Sequence, residues 1–340
     1  IAAFWKGPVQ PSSAAASAVV KLNEDGSVDL LVGTGEMGQG TVSALRQIVA
    51  EELGIEPEKV RVSPMRSTNL VPYTWQTVGS RGLYSDGQAL MRALDDLKSQ
   101  IRKVAAQIFK VFEDEIEIKD GKAYVKGKPW DSVTLAEIAL GYMFPDGETI
   151  HGPLIGRGSH VPVQTTFLDP ETGAGEPKPF ITFGAGAVEV EVDLLNMQVK
   201  VIRAATVYDT PVINPGLAYG QVYGGLIMGM GLALTEQLVF DDHGRLLNPN
   251  LTDYKVFRAG DIPKEIKAEF LGVGQRNAPY GAKGIGELTM LAWPAAIINA
   301  IYDAIGVRVK ETPVTPDKLL KEIKEQKPEL LEEVRKQLLG

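Results

Sequence analysis

The sequence contains no cysteine, and this absence excludes several kinds of site. A chain without thiols cannot form disulfides, ligate an iron–sulfur cluster through cysteine or use a cysteine nucleophile. Histidine is also scarce: His151, His160 and His243 are scattered, and no two of them are four positions apart. The sequence therefore predicts no His-rich metal site, and His243 is expected to lie in a hairpin turn at residues 241–244.

Neither an excess of basic residues nor a long apolar run is present. The 340 residues include 35 Lys and Arg against 43 Asp and Glu, which gives a formal net charge of −8 at pH 7. This balance makes nucleic acid and anionic membranes poor partners. Polar residues interrupt every stretch of about 18 residues that a membrane span would need, so we expect no span and a cytoplasmic location. The start, Ile1 to Lys6, shows no signal-peptide pattern and no initiator methionine, so we expect a piece of a longer chain.

Glycine, by contrast, is abundant, and four glycines fall within residues 33–40. Two strand-like runs, residues 17–22 and 27–32, predict a hairpin around a turn at residues 24–26. This hairpin precedes the loop, and a helix-like run, residues 42–53, follows it. Glycine lets the backbone adopt positive φ and approach a ligand closely, and the helix that begins after the loop adds unpaired N–H groups. The loop therefore predicts a pocket for an anionic or strongly polar ligand.

Residues 33–38 also match the G-x-G-x-x-G fingerprint of dinucleotide-binding proteins, so an NADP-dependent oxidoreductase is one alternative. Against it, the strand of residues 27–32 begins with alternating polar and apolar residues, whereas a central parallel strand is apolar throughout. The next strand, residues 60–63, does not end in the acidic residue that would bind the ribose. These features disfavour the dinucleotide-binding interpretation.

Two further segments have compositions that are typical of ligand contacts. Residues 66–82 form a long polar loop that is dense in hydroxyls and amides and precedes a helix predicted over residues 85–112. A helix-like run, residues 214–235, contains six glycines. Each glycine weakens an isolated helix by about 1 kcal/mol relative to alanine, so we expect this helix to approach another backbone or a ligand closely.

A second glycine loop, residues 280–288, contains the carboxylate Glu287. Its glycines and apolar neighbours predict partial burial, which would make Glu287 a candidate general base. The structural alternative is that Glu287 caps the following helix or pairs with Lys283. Spacing alone leaves both interpretations open.

Five motifs follow one another along the chain, at residues 37–40, 77–81, 233–236, 248–250 and 281–287. This series closely resembles the C-terminal molybdopterin-binding region of the large subunit in the xanthine dehydrogenase and aldehyde oxidoreductase family of molybdenum hydroxylases. The resemblance runs from about Trp5 to Leu320. It implies an α+β fold of two mixed α/β lobes, residues 1–160 and 161–340, with the cofactor site between them.

The resemblance also implies a cofactor and a set of site residues. The cofactor would be Mo-molybdopterin or its cytosine dinucleotide. The matched cofactor-binding positions are Met37, Gly38, Gln39, Gly40, Thr77, Gly79, Ser80, Arg81, Gly82, Met228, Lys283 and Gly286. Met228 stands where the family often has a glutamine, which removes one polar contact. Glu287 matches the family's catalytic base, which takes the proton of a metal-bound hydroxyl group as an N-heterocycle or an aldehyde is hydroxylated with oxygen from water.

The family's large subunit also has an earlier lobe with an arginine, aromatic residues and a Gly-Phe-Gly-Gly loop, and none of these is evident here. The resemblance therefore implies that this chain works with the missing N-terminal lobe and with 2Fe-2S and FAD electron-transfer subunits or domains. We expect it to be inactive alone, to act on a small molecule and to form a homo-oligomer. A non-catalytic assembly subunit with the same fold is the second alternative.

Overall fold

The computed structural model describes residues 1–8, 13–64, 67–163 and 165–339, and it combines helices with mixed sheets. The strands are β1 (Ala2–Lys6), β2 (Ala16–Leu22), β3 (Val28–Val32), β4 (Val60–Val62), β5 (Ile116–Lys119), β6 (Lys122–Val125), β7 (Ser132–Thr134), β8 (Gly141–Met143), β9 (Thr149–His151), β10 (Ile155–His160), β11 (Thr182–Asp193), β12 (Gln198–Tyr208) and β13 (Glu265–Phe270). The α-helices are α1 (Thr41–Leu53), α2 (Gly82–Phe109), α3 (Leu135–Ile138), α4 (Pro215–Leu234), α5 (Ala292–Ile305), α6 (Pro316–Gln326) and α7 (Glu329–Leu339). This architecture confirms the predicted α+β class. Arg66, the predicted start of the long polar loop, lies outside the described residues.

The first lobe is built on a sheet with the strand order β10-β2-β3-β4. β2 and β3 form the predicted antiparallel hairpin, in which Val20 pairs with Leu30, and β4 runs parallel to β3. Alternate residues of β2 and β3 are buried, because successive side chains of a strand point to opposite faces of the sheet. The buried sides of α1 and α2 belong to the same apolar core as these strands.

Close packing against β10 fixes the position of α2. A Cβ at Gly156 would lie 2.1 Å from the Ala93 carbonyl oxygen, and one at Gly158 would lie 2.1 Å from that of Ala89. Only glycine leaves room for a strand this close to a helix backbone. The helix also begins three residues earlier than predicted, at Gly82 rather than at Ser85. Its N-terminus therefore lies directly at the end of the polar loop.

The second lobe is built on a sheet with the strand order β1-β11-β12-β13. β11 and β12 form an antiparallel pair, and β13 runs parallel to β12. α4, α5 and α6 contribute to the apolar core of this lobe, in which Trp293 is fully buried. β1 pairs with β11, so it lies in the second sheet although the sequence-based division placed residues 1–160 together. A pattern of five residues carries no information about a strand partner far along the chain.

Two apolar helical stretches, Pro215–Leu234 and Glu287–Ile305, are long enough and apolar enough to cross a membrane by length and composition alone. In the fold they pack against each other: a Cβ at Gly225 would meet Thr289, and one at Gly229 would meet Trp293. Core helices of soluble proteins pass the same test, so the finding is weak evidence for a membrane span. Gly225 and Gly229 make the close helix contact that the glycine content of α4 predicts.

Candidate functional site

A cavity of about 260 Å³ lies between the two lobes. In the described part of the chain its wall comes from residues 37–44 and 77–83 of the first lobe and residues 211–221 and 283–287 of the second. Both glycine loops, the end of the polar loop and the start of α4 therefore meet at one place. These are the segments that the sequence marks as candidate ligand contacts.

Three of the described helices begin at this cavity. α1 begins at Thr41, α2 at Gly82 and α4 at Pro215, and residues from the N-terminal end of each helix line the wall. Helix N-termini carry unpaired N–H groups and a partial positive charge. Among the described residues, the N-caps of α1 and α2 form no side-chain hydrogen bond and the first turns contain no acidic residue. The Glu36 carboxylate meets N–H groups at the start of α1 and Asn214 caps α4, so the N-terminus of α2 most directly favours an anionic ligand in the cavity.

Glu36 organises the first glycine loop. Its carboxylate accepts hydrogen bonds from the backbone N–H groups of Gly38, Gly40 and Val42, at 3.1, 2.7 and 3.0 Å. Gly38 and Gly40 both have positive φ, 99° and 84°, so the loop needs glycine at these positions. Gly40 lines the cavity, whereas the described lining does not include Gly38. The sequence reasoning overlooked Glu36, although an acidic residue just before a helix is a recognisable signal.

Gln39 and Met37, which the resemblance predicts as cofactor contacts, both line the cavity. The Gln39 side chain accepts a hydrogen bond from the backbone N–H of Met37 at 2.6 Å and donates one to the Gly35 carbonyl at 2.9 Å. The Gln39 amide therefore links Met37 to Gly35 and stabilises the conformation of the loop. The Met37 side chain is 76% exposed, so it covers the cavity from outside rather than filling a core position.

The polar loop is joined to both glycine loops. Thr77 accepts a hydrogen bond on its hydroxyl from the Gly35 backbone N–H at 2.8 Å. The Ser80 hydroxyl accepts one from the Glu287 backbone N–H at 2.9 Å. A Cβ at Gly284 would lie 1.6 Å from the Ser80 carbonyl oxygen, so only glycine fits there. Ser80 has a positive φ of 61°, a backbone conformation that is uncommon for serine and is held here by these contacts.

Arg81 is fully buried, and its guanidinium is used within the protein. It donates hydrogen bonds to the backbone carbonyls of residues 14, 15, 75 and 76 at 2.8–3.5 Å. Burial lowers the pKa of Arg81 from its ordinary value, and the neighbouring Asp86 carboxylate opposes that change. The resemblance predicts Arg81 as a cofactor contact, and Arg81 lines the cavity together with Gly79 and Gly82. Its guanidinium also fixes the polar loop through the bonds to these carbonyls.

Lys283 also lines the cavity, but its ammonium group is directed into the second lobe. Its Nζ forms an ion pair with Asp209 at 2.9 Å and donates to the Ile181 carbonyl at 3.2 Å. Its backbone N–H donates to the Thr210 hydroxyl at 3.0 Å. Lys283 therefore anchors the second glycine loop and does not pair with Glu287, contrary to the structural alternative.

Glu287 lies in the cavity wall with its side chain 52% exposed, so it is less buried than its apolar neighbours predict. Its carboxylate pairs with Lys6 of β1 and accepts a hydrogen bond from the Ser80 hydroxyl at 3.4 Å. The residue opens a short 3-10 helix, Glu287–Met290. The sequence reasoning overlooked Lys6, because no local pattern connects residues 281 positions apart.

α4 contributes Asn214 and Gln221 to the cavity, and neither was predicted. Asn214 caps the helix by accepting from the Leu217 N–H at 3.0 Å and donates to Gln47 at 3.1 Å. Met228, the predicted cofactor contact on this helix, is not among the described lining residues, and its side chain is 60% exposed. It lies seven residues beyond Gln221, about 10 Å along the helix. Met228 has no amide, but Gln221 supplies one about two helical turns earlier on α4.

Asp86 and His160 lie buried behind the polar loop and do not line the described cavity wall. Burial raises the pKa of Asp86 to about 6, although the Arg81 charge and hydrogen bonds, including one from Thr74 at 2.9 Å, oppose the rise. Burial lowers the pKa of His160 to about 4, and the charges of Arg92 and Arg81 add to the effect. These groups therefore belong to the support of the loop rather than to the cavity.

Comparison with known proteins gives one consistent result. The family described as "Molybdopterin cofactor-binding domain" matches residues 1–263. The xanthine dehydrogenase molybdenum-binding subunit of Escherichia coli O157:H7 is 30% identical over 311 residues, which cover 90% of this chain and 39% of that subunit. The nicotine 6-hydroxylase large subunit of Paenarthrobacter nicotinovorans is 30% identical over 312 residues, covering 91% of this chain and 37% of that one.

A solved structure gives the same fold. Quinoline 2-oxidoreductase from Pseudomonas putida 86 superposes with a TM-score of 0.79 at 25% identity, over 95% of this chain and 41% of that one. This chain thus spans about two fifths of the length of each of these three proteins. The matches confirm the resemblance seen in the motifs. The chain belongs to the molybdopterin cofactor-binding domain family.

Proposed function

We propose that this chain is the cofactor-binding part of a molybdenum hydroxylase that oxidises an N-heterocycle or an aldehyde, with water as the oxygen source. The observation that carries the proposal is that Glu287 and three helix N-termini face the same cavity. A carboxylate beside an anion-binding cavity can accept a proton from a group that the cavity holds. Family membership and the reactions named for the relatives support this assignment.

The residues of the cavity fit an anionic, highly polar pterin. The 79–82 segment offers main-chain atoms at the N-terminus of α2, and Gln221 offers a side-chain amide. Gln39 and Gly40 shape the wall beside them through hydrogen bonds within the first glycine loop. Gly284 lets the two loops approach closely, as a binding cradle requires. Bound there, Mo-molybdopterin or its cytosine dinucleotide would supply the two-electron redox chemistry of the metal.

The task of the chain's own residues is to place one proton acceptor. Glu287 would take the proton during the reaction, and Lys6 and Ser80 hold its carboxylate at the cavity wall. The Glu287 backbone is tied to Ser80 as well, so the acceptor is fixed at its main chain and its side chain. Such fixing raises rates because the reacting groups need no further ordering.

We propose further that the chain acts only together with other parts of the enzyme. It spans 39% of its relative from Escherichia coli O157:H7, so the missing N-terminal lobe would complete the site. Electrons would leave through 2Fe-2S and FAD subunits or domains. A homo-oligomer, a cytoplasmic location and the division into lobes at about residue 160, with β1 assigned to the second lobe, belong to the same proposal.

One experiment separates this proposal from a non-catalytic assembly subunit. The Glu287→Gln variant is prepared in the complete molybdenum-loaded complex, with Glu329→Gln on α7 as a control. Turnover is measured with benzaldehyde and with quinoline, using a dye as electron acceptor, and molybdenum is measured by mass spectrometry. We expect molybdenum to be retained and turnover to fall by about 10²–10⁴. Unchanged turnover, or wild-type complex without molybdenum, would contradict the proposal.

A further inference from the structure

Tyr280 connects the loop that carries Glu287 to the opposite lobe. Its hydroxyl donates a hydrogen bond to the Glu52 carboxylate at 2.6 Å. The other oxygen of Glu52 pairs with Lys98. Glu52 is the penultimate residue of α1 and Lys98 lies in α2, so both partners belong to the first lobe. The Glu52 and Lys98 side chains are each 15% exposed, so the pair is shielded from solvent.

The backbone of Tyr280 indicates that the side chain is needed there. Its φ is 51° and its ψ is 24°, which is the left-handed region. An L-residue in this conformation is strained by about 1–2 kcal/mol, and glycine would avoid the strain. Strained residues persist where their surroundings determine them. A tyrosine kept at such a position has a contact that outweighs the strain, and the described contact is the bond to Glu52.

The neighbours of Tyr280 fit the first lobe equally closely. A Cβ at Gly87 of α2 would lie 2.5 Å from the Pro279 ring. Three residues after Tyr280, Lys283 is anchored to Asp209 in the second lobe. The segment that leads to Glu287 is thus attached to the first lobe at residues 279–280 and to the second at residue 283.

We propose that Tyr280 is a positioning residue, whose hydrogen bond to Glu52 holds the second glycine loop so that Glu287 faces the cavity. This inference rests on the proposed role of Glu287. Burial and the nearby Glu52 raise the pKa of the Tyr280 hydroxyl, so it keeps its proton as a donor. Burial raises the pKa of Glu52, but the bonds from Lys98 and Tyr280 outweigh it and leave that pKa lowered, so the acceptor stays ionised. A donor and a charged acceptor make the stronger kind of hydrogen bond.

The chain offers a matched control for removal of this bond. Tyr254 donates to Glu236 at 2.7 Å, which is the same kind of tyrosine–glutamate bond, but both residues lie in the second lobe. Tyr280→Phe and Tyr254→Phe are compared in the complete molybdenum-loaded complex with benzaldehyde as substrate. We expect kcat to fall about tenfold in Tyr280→Phe with KM within about twofold, because a misplaced base slows the chemical step more than binding. Tyr254→Phe should keep the wild-type kcat.

Hydrogen exchange tests the positioning without using activity. Amide exchange in residues 280–287 should rise about tenfold in Tyr280→Phe and in Glu52→Gln, because the loop opens more often. In these two variants, exchange in α1 and α2 should stay at the wild-type rate, except in the helical turn that contains the substitution. In the Tyr254→Phe control, exchange should stay at the wild-type rate everywhere except next to residue 254. Equal loop exchange in Tyr280→Phe and Tyr254→Phe would overturn the inference. If Glu287→Gln left turnover unchanged while loop exchange rose in Tyr280→Phe and Glu52→Gln, the proposed function would be wrong. The inference that the Tyr280–Glu52 hydrogen bond holds the loop would still be supported.

Discussion

Gly284 is the position where a single added methyl group should disturb the cavity most. Its Cβ would lie 1.6 Å from the Ser80 carbonyl oxygen and 2.7 Å from the Ser80 carbonyl carbon. Its φ lies outside the left-handed region, so lack of space, not backbone conformation, requires glycine there. The atoms that obstruct the methyl group belong to a backbone and cannot change rotamer.

The distance gives the scale of the effect. Carbon and oxygen need a separation of about 3.2–3.5 Å, so the two loops must move apart by about 1.5–2 Å. Overpacking of this kind destabilises a fold by about 1–3 kcal/mol, and we expect the upper end because a backbone must shift. The same movement would break the 2.9 Å hydrogen bond between the Glu287 N–H and the Ser80 hydroxyl. Gly284→Ala should therefore weaken both the fold and the cavity.

Urea unfolding and molybdenum content measure the two effects. Gly224→Ala on α4 is the control, because no heavy atom of the described residues lies within 4 Å of its added Cβ apart from its chain neighbours and its own helix backbone. Alanine favours a helix over glycine by about 1 kcal/mol, so this control should be as stable as the wild type or more stable. Gly284→Ala with wild-type stability and a full complement of molybdenum would refute the argument.

Three other substitutions test the support behind the polar loop. Burial raises the Asp86 pKa from 3.8 to about 6, so the folded chain binds this proton more tightly than the unfolded chain. The free energy of unfolding of the wild type should therefore fall by up to about 3 kcal/mol as pH rises from about 4 to 6. Asp86→Asn should lack that loss. Burial lowers the His160 pKa from 6.5 to about 4, so the folded chain binds this proton less tightly than the unfolded chain. The free energy of unfolding of the wild type should therefore fall by up to about 3 kcal/mol as pH falls from about 6.5 to 4. His160→Gln should lack that loss. Urea titrations between pH 4 and 7 check both, and curves parallel to the wild type would contradict the burial argument. Arg81→Lys cannot satisfy all of the carbonyls that the guanidinium reaches and should destabilise the fold by about 2–4 kcal/mol; an unchanged urea midpoint would count against this.

Local patterns in the sequence predicted the parts of the fold that local forces determine. The hairpin of β2 and β3 follows from alternating residues around a turn, and the glycine loop at residues 33–40 follows from strand, glycine and helix signals in succession. The glycines of α4 correctly indicated close packing, here against Thr289 and Trp293. In each of these cases the signal lies in the segment whose structure it predicts.

The contacts that complete the site could not be predicted in that way. Lys6 and Glu287 pair across almost the whole chain, and β1 joins a sheet whose other strands begin at residue 182. Arg81 matches a cofactor position, and its buried guanidinium also binds four backbone carbonyls. Gln221 lines the cavity, whereas Met228, seven residues later on α4, is not among the described lining residues. Three-dimensional packing, not residue type, decides each of these roles.

The rate at which substrate reduces the metal centre tests the central claim most directly. The complete molybdenum-loaded complex is mixed with benzaldehyde under anaerobic conditions, and reduction is followed by stopped-flow absorbance for the wild type and for Glu287→Gln. We expect equal molybdenum content and a reduction rate lower by about 10²–10⁴ in the variant, because only the proton acceptor is lost. Equal reduction rates in the two proteins would show that Glu287 is not the base.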